Sequence, residues 1–203
     1  MRIIRIGLAV CAAMAVCGSF ACAQAGKPFS ADMKSTLSRS GVTSNGKIYF
    51  SPPKIRIDTN SHGQDSVMII DASTKTTYML RPQQHLYMEL HADPKNPSAQ
   101  RTPSAAPSYD AAHPCPADAT CKKTGTETVN GRTCDDWEMT TARGTTKMCI
   151  DQKLLYPIRT VAKDGAFTEL SNVKEGKPDP SLFEIPAGYR KMDMGSMGGR
   201  PPQ

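Results

Sequence analysis

From Phe29 onward apolar or small residues alternate with polar ones: Phe29, Ala31, Met33, Ser35 and Leu37 against Ser30, Asp32, Lys34 and Thr36. A repeat of two is the signature of a strand with one face toward an apolar interior. The same pattern predicts strands over 47–50, 54–59, 66–71, 76–81 and 84–90, separated by the turn pairs His62-Gly63, Ser73-Thr74 and Pro82-Gln83. After a break it resumes over 121–129, 132–140, 145–151, 158–163 and 166–173. Asn130-Gly131 and Asp164-Gly165 mark hairpins, because both residues of such a pair tolerate positive φ. The only helical signal in this body is Pro178-Asp179-Pro180-Ser181-Leu182-Phe183, where Asp179 caps one turn and Pro180 opens it.

About ten short strands with few or no helices describe a mainly β fold, a curved antiparallel meander. So long a ribbon has to curl in order to bury one face. With no helix to cover it, the dry face must close on itself or hold something apolar. The residues expected to line it are Phe29, Ala31, Met33, Ile55, Ile57, Val67, Ile69, Met79 and Leu86.

The strands account for one domain, residues 26–191, interrupted at 91–119 by Pro-rich sequence with few large apolar residues. A loop of that length is either functional or a linker. At the N-terminus Arg2 and Arg5 precede the apolar run Ile6 to Val16, and Ala23-Gln24-Ala25 supplies a small-residue cleavage site. This is the form of an export signal, residues 1–25, too short in its apolar part to span a bilayer. The mature chain then has no transmembrane segment and is expected in the periplasm. Lipid anchoring at Cys17 or Cys22 is the alternative address, although neither has a leucine three residues before it.

The body keeps four cysteines, Cys115, Cys121, Cys134 and Cys149, an even number suited to two disulfides in an oxidising compartment. Three pairings are possible. Cys115 and Cys121 bracket a short stretch and Cys134 and Cys149 lie in adjacent segments of a hairpin, so sequential pairing is expected. Neither zinc-ligand spacing nor a C-x-x-C redox motif is present.

Charge adds little: 25 Lys and Arg against 19 Asp and Glu, scattered among Ser and Thr, form no stripe that tracks phosphates, so no nucleic-acid partner is expected. There is no Gly-x-Ser-x-Gly elbow, no H-E-x-x-H and no phosphate loop, so no enzyme is expected. The tail 192–203 is rich in Met and Gly, and Met192, Met194 and Met197 form an M-x-M-x-x-M pattern. Thioethers suit Cu(I). Copper is therefore the alternative cofactor, with His85, Met88 and His91 as further ligands if the tail folds back, although Met88 points to the strand face opposite the two histidines. Trp137 is expected to anchor its sheet, and Arg56 to lie on a solvated face away from Ile55 and Ile57.

Gly46-Lys47-Ile48-Tyr49-Phe50, Lys54-Ile55-Arg56-Ile57-Asp58, Ile69-Ile70-Asp71 and Tyr78 to Tyr87 resemble the LolA/LolB-like envelope proteins. Within that group the chain most resembles an uncharacterised bacterial family, domain of unknown function 4412, through Gly125-Thr126-Glu127, Val129-Asn130-Gly131, Cys134, Trp137, Pro157 and Phe183-Glu184-Ile185-Pro186. The likeness runs from about Phe29 to Met194. It implies an open half-barrel whose concave apolar face, in the lipoprotein carriers, receives acyl chains under covering helices. Those helices are missing here, which leaves a narrower cavity, one closed by the Pro-rich loop, or a packed one. The expected function is non-enzymatic binding of a lipid or acyl chain, or assistance in lipoprotein handling; a structural interaction module is a further alternative.

Overall fold

A computed structural model describes residues 26–36, 41–91, 115, 119–142 and 144–192. The segment expected to be an export signal, nearly all of the Pro-rich segment, Met194 and Met197 lie outside the described residues. Twelve strands follow one another: β1 (Phe29–Thr36), β2 (Thr43–Ser51), β3 (Lys54–Ser61), β4 (Gln64–Asp71), β5 (Thr76–Arg81), β6 (Leu86–His91), β7 (Thr120–Val129), β8 (Arg132–Thr141), β9 (Gly144–Asp151), β10 (Tyr156–Ala162), β11 (Phe167–Glu175) and β12 (Arg190–Lys191). Two 3-10 turns, Pro82–Gln84 and Pro180–Phe183, are the only helical elements among the described residues.

All strands belong to one sheet, in the order β12-β6-β5-β4-β3-β2-β1-β11-β10-β9-β8-β7. It consists of two meanders, β1–β6 and β7–β11, joined where β1 pairs antiparallel with β11. The edges do not meet. The sheet is nonetheless strongly curled. Phe29 on β1 and Tyr156 on β10 have ring centroids 5.0 Å apart although β11 lies between their strands, and flat strands so placed would be about 9.6 Å apart. Asn130, in the β7–β8 turn, donates from Nδ2 to the Leu170 carbonyl on β11 at 2.8 Å. The architecture is an open antiparallel half-barrel, as the alternation and the scarcity of helices predicted.

Local sequence explains the hairpins. Asn130 and Gly131 have φ of 49° and 77°, and His62 and Gly63 have 53° and 76°, the left-handed conformations that match a two-residue turn to strand twist. Gly46 is needed for another reason. A Cβ there would sit 2.0 Å from the Asp58 carbonyl oxygen on β3, so only glycine lets the two strands pair this closely. Asp179 caps the second 3-10 turn, accepting from the Ser181 amide at 2.9 Å.

The main core lies on the inner face. Phe29, Phe50 and Tyr156 form a ring cluster with centroids 5.0 to 5.6 Å apart, surrounded by Leu154, Ile158, Leu170, Val129 and the buried Cys134 and Cys149. Desolvation pushes the Tyr156 phenol up to about 12. Leu154 is fixed from below by Asp151, which accepts from the Leu154 amide at 2.7 Å and the Lys153 amide at 2.8 Å and pairs with Arg132. Burial alone would raise the Asp151 carboxyl; the Arg132 guanidinium and the two amides outweigh that and hold it below the usual carboxylate range.

The sequence pattern implied one dry face and one wet one. The structure has a second apolar layer on the outer face of β3–β6. There Val67, Ile69 and Leu80 are buried under Phe183, with Tyr49, Tyr78, Tyr87, Leu182 and Tyr189 around them. The covering segment is the chain from Pro178 to Met192, which crosses the outside of the sheet and ends as β12, parallel to β6. Arg56 holds it: its guanidinium donates to the Leu182 carbonyl at 2.9 Å and to Asp58 at 2.6 Å. Arg56 is therefore a part-buried clamp and not an exposed cation. Trp137 packs with Met148, Ile150 and Met139 in a small cluster of its own, apart from the main core.

Both disulfides join the sequential pairs, Cys115 to Cys121 and Cys134 to Cys149. The second ties β8 to β9.

Candidate functional site

Across β3, β4, β5 and β6 the inner face carries one transverse row of apolar side chains. Ile57 pairs with Met68, Met68 with Met79, and Met79 with Met88. Ile48 precedes them on β2, opposite Ile57. Burial falls along this row: Ile48 is 2% exposed, whereas Ile57, Met68, Met79 and Met88 are half-buried. Leu86 and Leu90, one step to either side of Met88 on the same face, are half-buried too. The inner core thus thins from β2 toward β6 into a shelf of apolar side chains.

The shelf reaches the edge strand. Lys191 is in register with Tyr87, its ammonium meets Glu89 at 2.7 Å on the outer face, and the next amide, that of Met192, donates to the Tyr87 carbonyl at 2.8 Å. Alternation then places Met192 on the inner side, beside Met88. Four methionines on neighbouring strands share one row. A cleft of about 440 Å³ adjoins it, lined by Met79, Met88, Arg81 and the polar β3–β4 turn. Methionine is unbranched and polarizable, and adapts to apolar partners of varied shape.

The nine residues expected to line the dry face divide into three groups. Phe29, Ala31, Met33 and Ile55 are on the inner face but 0 to 9% exposed, their surfaces already covered by the protein's own side chains. Ile57, Met79 and Leu86 are on the inner face and half-exposed. Val67 and Ile69, at 6% and 1% exposure, are on the outer face under the C-terminal segment, which corrects their assignment to the same surface. Their inner-face counterparts are Met68 and Ile70. The run Val67-Met68-Ile69-Ile70 is apolar on both sides because β4 is covered on both, so alternation could not give its register. Met68 and Met88 were the missed members of the shelf; their spacing to Met79 was in the sequence, but the strand register that aligns them was not.

A second cleft, of about 330 Å³, mixes charged and apolar side chains. Glu127, Asp136, Trp137, Lys147 and Arg159 line it. Glu127, Cys134, Asp136 and Cys149 place one potential ligand atom each within 4.8 Å of one another, but the two sulfurs are bonded to each other. What exists there is a disulfide beside two carboxylates. Desolvation, and then the charge of Glu127, raise Asp136, while Arg159 pairs with Glu127 at 3.1 Å and Glu169 at 2.9 Å. The described histidines serve local roles. His91 meets Thr76 at 3.2 Å and Glu89 at 3.0 Å, His85 lies edge-on to Tyr189, and His62 is in a turn. His91 lies with Glu89 on the outer side of β6, opposite the face that carries Met88.

Fold and shelf together define an open half-barrel of the kind the resemblance to LolA/LolB-like proteins implied. The family model described as domain of unknown function DUF4412 matches residues 29–156, well over half of the chain, and the protein belongs to that family. The match ends before Phe183-Glu184-Ile185-Pro186, so the outer covering segment lies beyond it. Among solved structures the chain is similar to an uncharacterized conserved protein from Thermus thermophilus, with a TM-score of 0.57 and 11% identity over 82% of this chain and 90% of that one. It is also similar to PNGF-II, with a TM-score of 0.49 and 10% identity over 84% of this chain and 32% of that one, so it spans about a third of that protein. A LolA superfamily protein, NE2245 from Nitrosomonas europaea, aligns with a TM-score of 0.40 and 10% identity over 78% of this chain and 90% of that one. At these identities the first describes a shared fold and none transfers an activity. No curated protein matches the chain.

Proposed function

We propose that this protein is an exported, non-enzymatic envelope component that holds an apolar chain, a lipid or an acyl group, against the inner face of β3–β6. The observation that carries this reading is the half-exposed row Ile57, Met68, Met79 and Met88 with Leu86 and Leu90 beside it. Each methylene taken from water onto such a surface contributes about 0.8 kcal/mol, so an acyl segment of about ten carbons offsets a substantial part of the cost of association. Two disulfides and the N-terminal leader support an oxidising, extracytoplasmic address. Among the described residues no helix is long and apolar enough to cross a membrane.

The test is displacement of a fluorescent apolar probe by long-chain fatty acid and by phospholipid, compared between the unaltered protein and Met79→Lys and Leu86→Asp. Saturable probe binding that both substitutions weaken at least tenfold is the expected result. Binding that neither changes, or no binding at all, overturns the proposal.

A further inference from the structure

The methionine row has a chemistry that its hydrophobicity does not exhaust. Met79 on β5, Met88 on β6 and Met192 just beyond β12 occupy three adjacent strands on one face. Neighbouring strands are about 4.8 Å apart, so the two outer backbones lie roughly 10 Å apart with Met88 midway. A methionine side chain has three rotatable bonds and ends in its sulfur and methyl, long enough for three such chains on this spacing to meet above the central strand. All three are half-exposed, and Met79 and Met88 open onto the cleft beside the β3–β4 turn.

We propose that Met79, Met88 and Met192 form a binding site for a soft monovalent cation, Cu(I) or its redox-inert analogue Ag(I). Thioethers are neutral soft donors; they select Cu(I) over hard cations, which prefer carboxylate and carbonyl oxygen. Neutral ligands on an apolar shelf also favour a single positive charge over two, since desolvating a dication costs more. Met68, next in the row on β4, is a fourth donor within the same register. The four body cysteines are bonded in pairs and do not compete as thiolates. The inference does not depend on apolar-ligand binding, which requires the area of the shelf and not its sulfur.

The experiment is a titration with Ag(I), followed by native mass spectrometry and calorimetry, on chain purified from the cell envelope without thiol reagents and without its leader. One equivalent is expected to bind. Met88→Leu should weaken it at least tenfold and Met79→Leu with Met88→Leu should abolish it, whereas Met148→Leu, in the separate Trp137 cluster, should leave it within about twofold. A chain ending at Met192 should bind as tightly as the full chain. If the double variant binds Ag(I) unchanged, or if removing the residues after Met192 alone abolishes binding, the assignment fails, and in the second case the ligands are Met194 and Met197. Leucine preserves the apolar surface, so probe binding retained by the double variant separates the two proposals.

Discussion

The two ends of the sheet were built from the same alternating pattern and finished in opposite ways. Around β1 and β9–β11 the inner face is closed by Phe29, Phe50, Tyr156 and Leu154, the curl brings β7–β8 over it, and Asp151 and a disulfide secure the hairpins. Around β3–β6 the outer face is closed by the segment carrying Leu182, Phe183 and Tyr189, and the inner face is left half open. Dry side and inner side are therefore separate properties. At one end the chain's own core fills the inner face; at the other the C-terminal segment covers the outer face, and the inner row Met68, Met79 and Met88 stays part-buried.

That contrast can be broken by mutation. The largest effect is expected at Phe29→Ala, which removes a ring from the closed end and should cost about 3–5 kcal/mol in urea unfolding; a loss below about 1 kcal/mol would mean that end is not close-packed. Asp151→Asn strikes the same end and should cost about 3 kcal/mol, since it removes the buried carboxylate that Arg132 and two backbone amides share and leaves Arg132 only the exposed Glu175 at 2.8 Å. Its pH behaviour is distinctive. Because the folded carboxyl is held below its ordinary value, its contribution is complete above about pH 4 and declines as pH falls through the depressed folded value. The unaltered protein should therefore lose stability on acidification more steeply than the Asn variant, and parallel acid curves would contradict this.

Replacing Cys134 and Cys149 together by Ala should cost about 3 kcal/mol, the contribution expected from closing a loop of this length, measured without reductant. Phe183→Ala should cost about 2–3 kcal/mol and raise hydrogen exchange in β5, β6 and β12 while leaving β9–β11 protected. Exchange that rises evenly over the molecule would deny the two ends their independence. The smallest effect is expected on the shelf: Met79→Gln should change stability by less than about 1 kcal/mol yet weaken apolar-probe binding.

Much of the fold was legible before the structure. Period-two alternation located the strands, the Asn130-Gly131 and His62-Gly63 pairs located turns, and Asp179-Pro180 located the one capped helical turn at the C-terminal side, because each of these rests on backbone preferences that act within a few residues. Cysteine order gave the two bridges. The boundaries were less exact: β2 begins at Thr43 and not Lys47, and Pro82–Gln84 with the left-handed His85 delays β6 until Leu86. Register within β4 was unreadable because four successive residues are apolar, and Arg56 looked exposed because its partner is a carbonyl 126 positions away.

Short strands, the places where they turn and a mainly β body with paired cysteines were legible in the sequence, since those outcomes depend on local dihedral preferences and on hydrophobic period. Which apolar face is filled and which is left part-open was settled by tertiary packing, because that depends on the curl of the whole sheet and on the C-terminal segment returning to its outside. The alignment of Met68, Met79, Met88 and Met192 belongs to the same level. Strand pairing between distant segments creates it, and no local property of any one strand contains it.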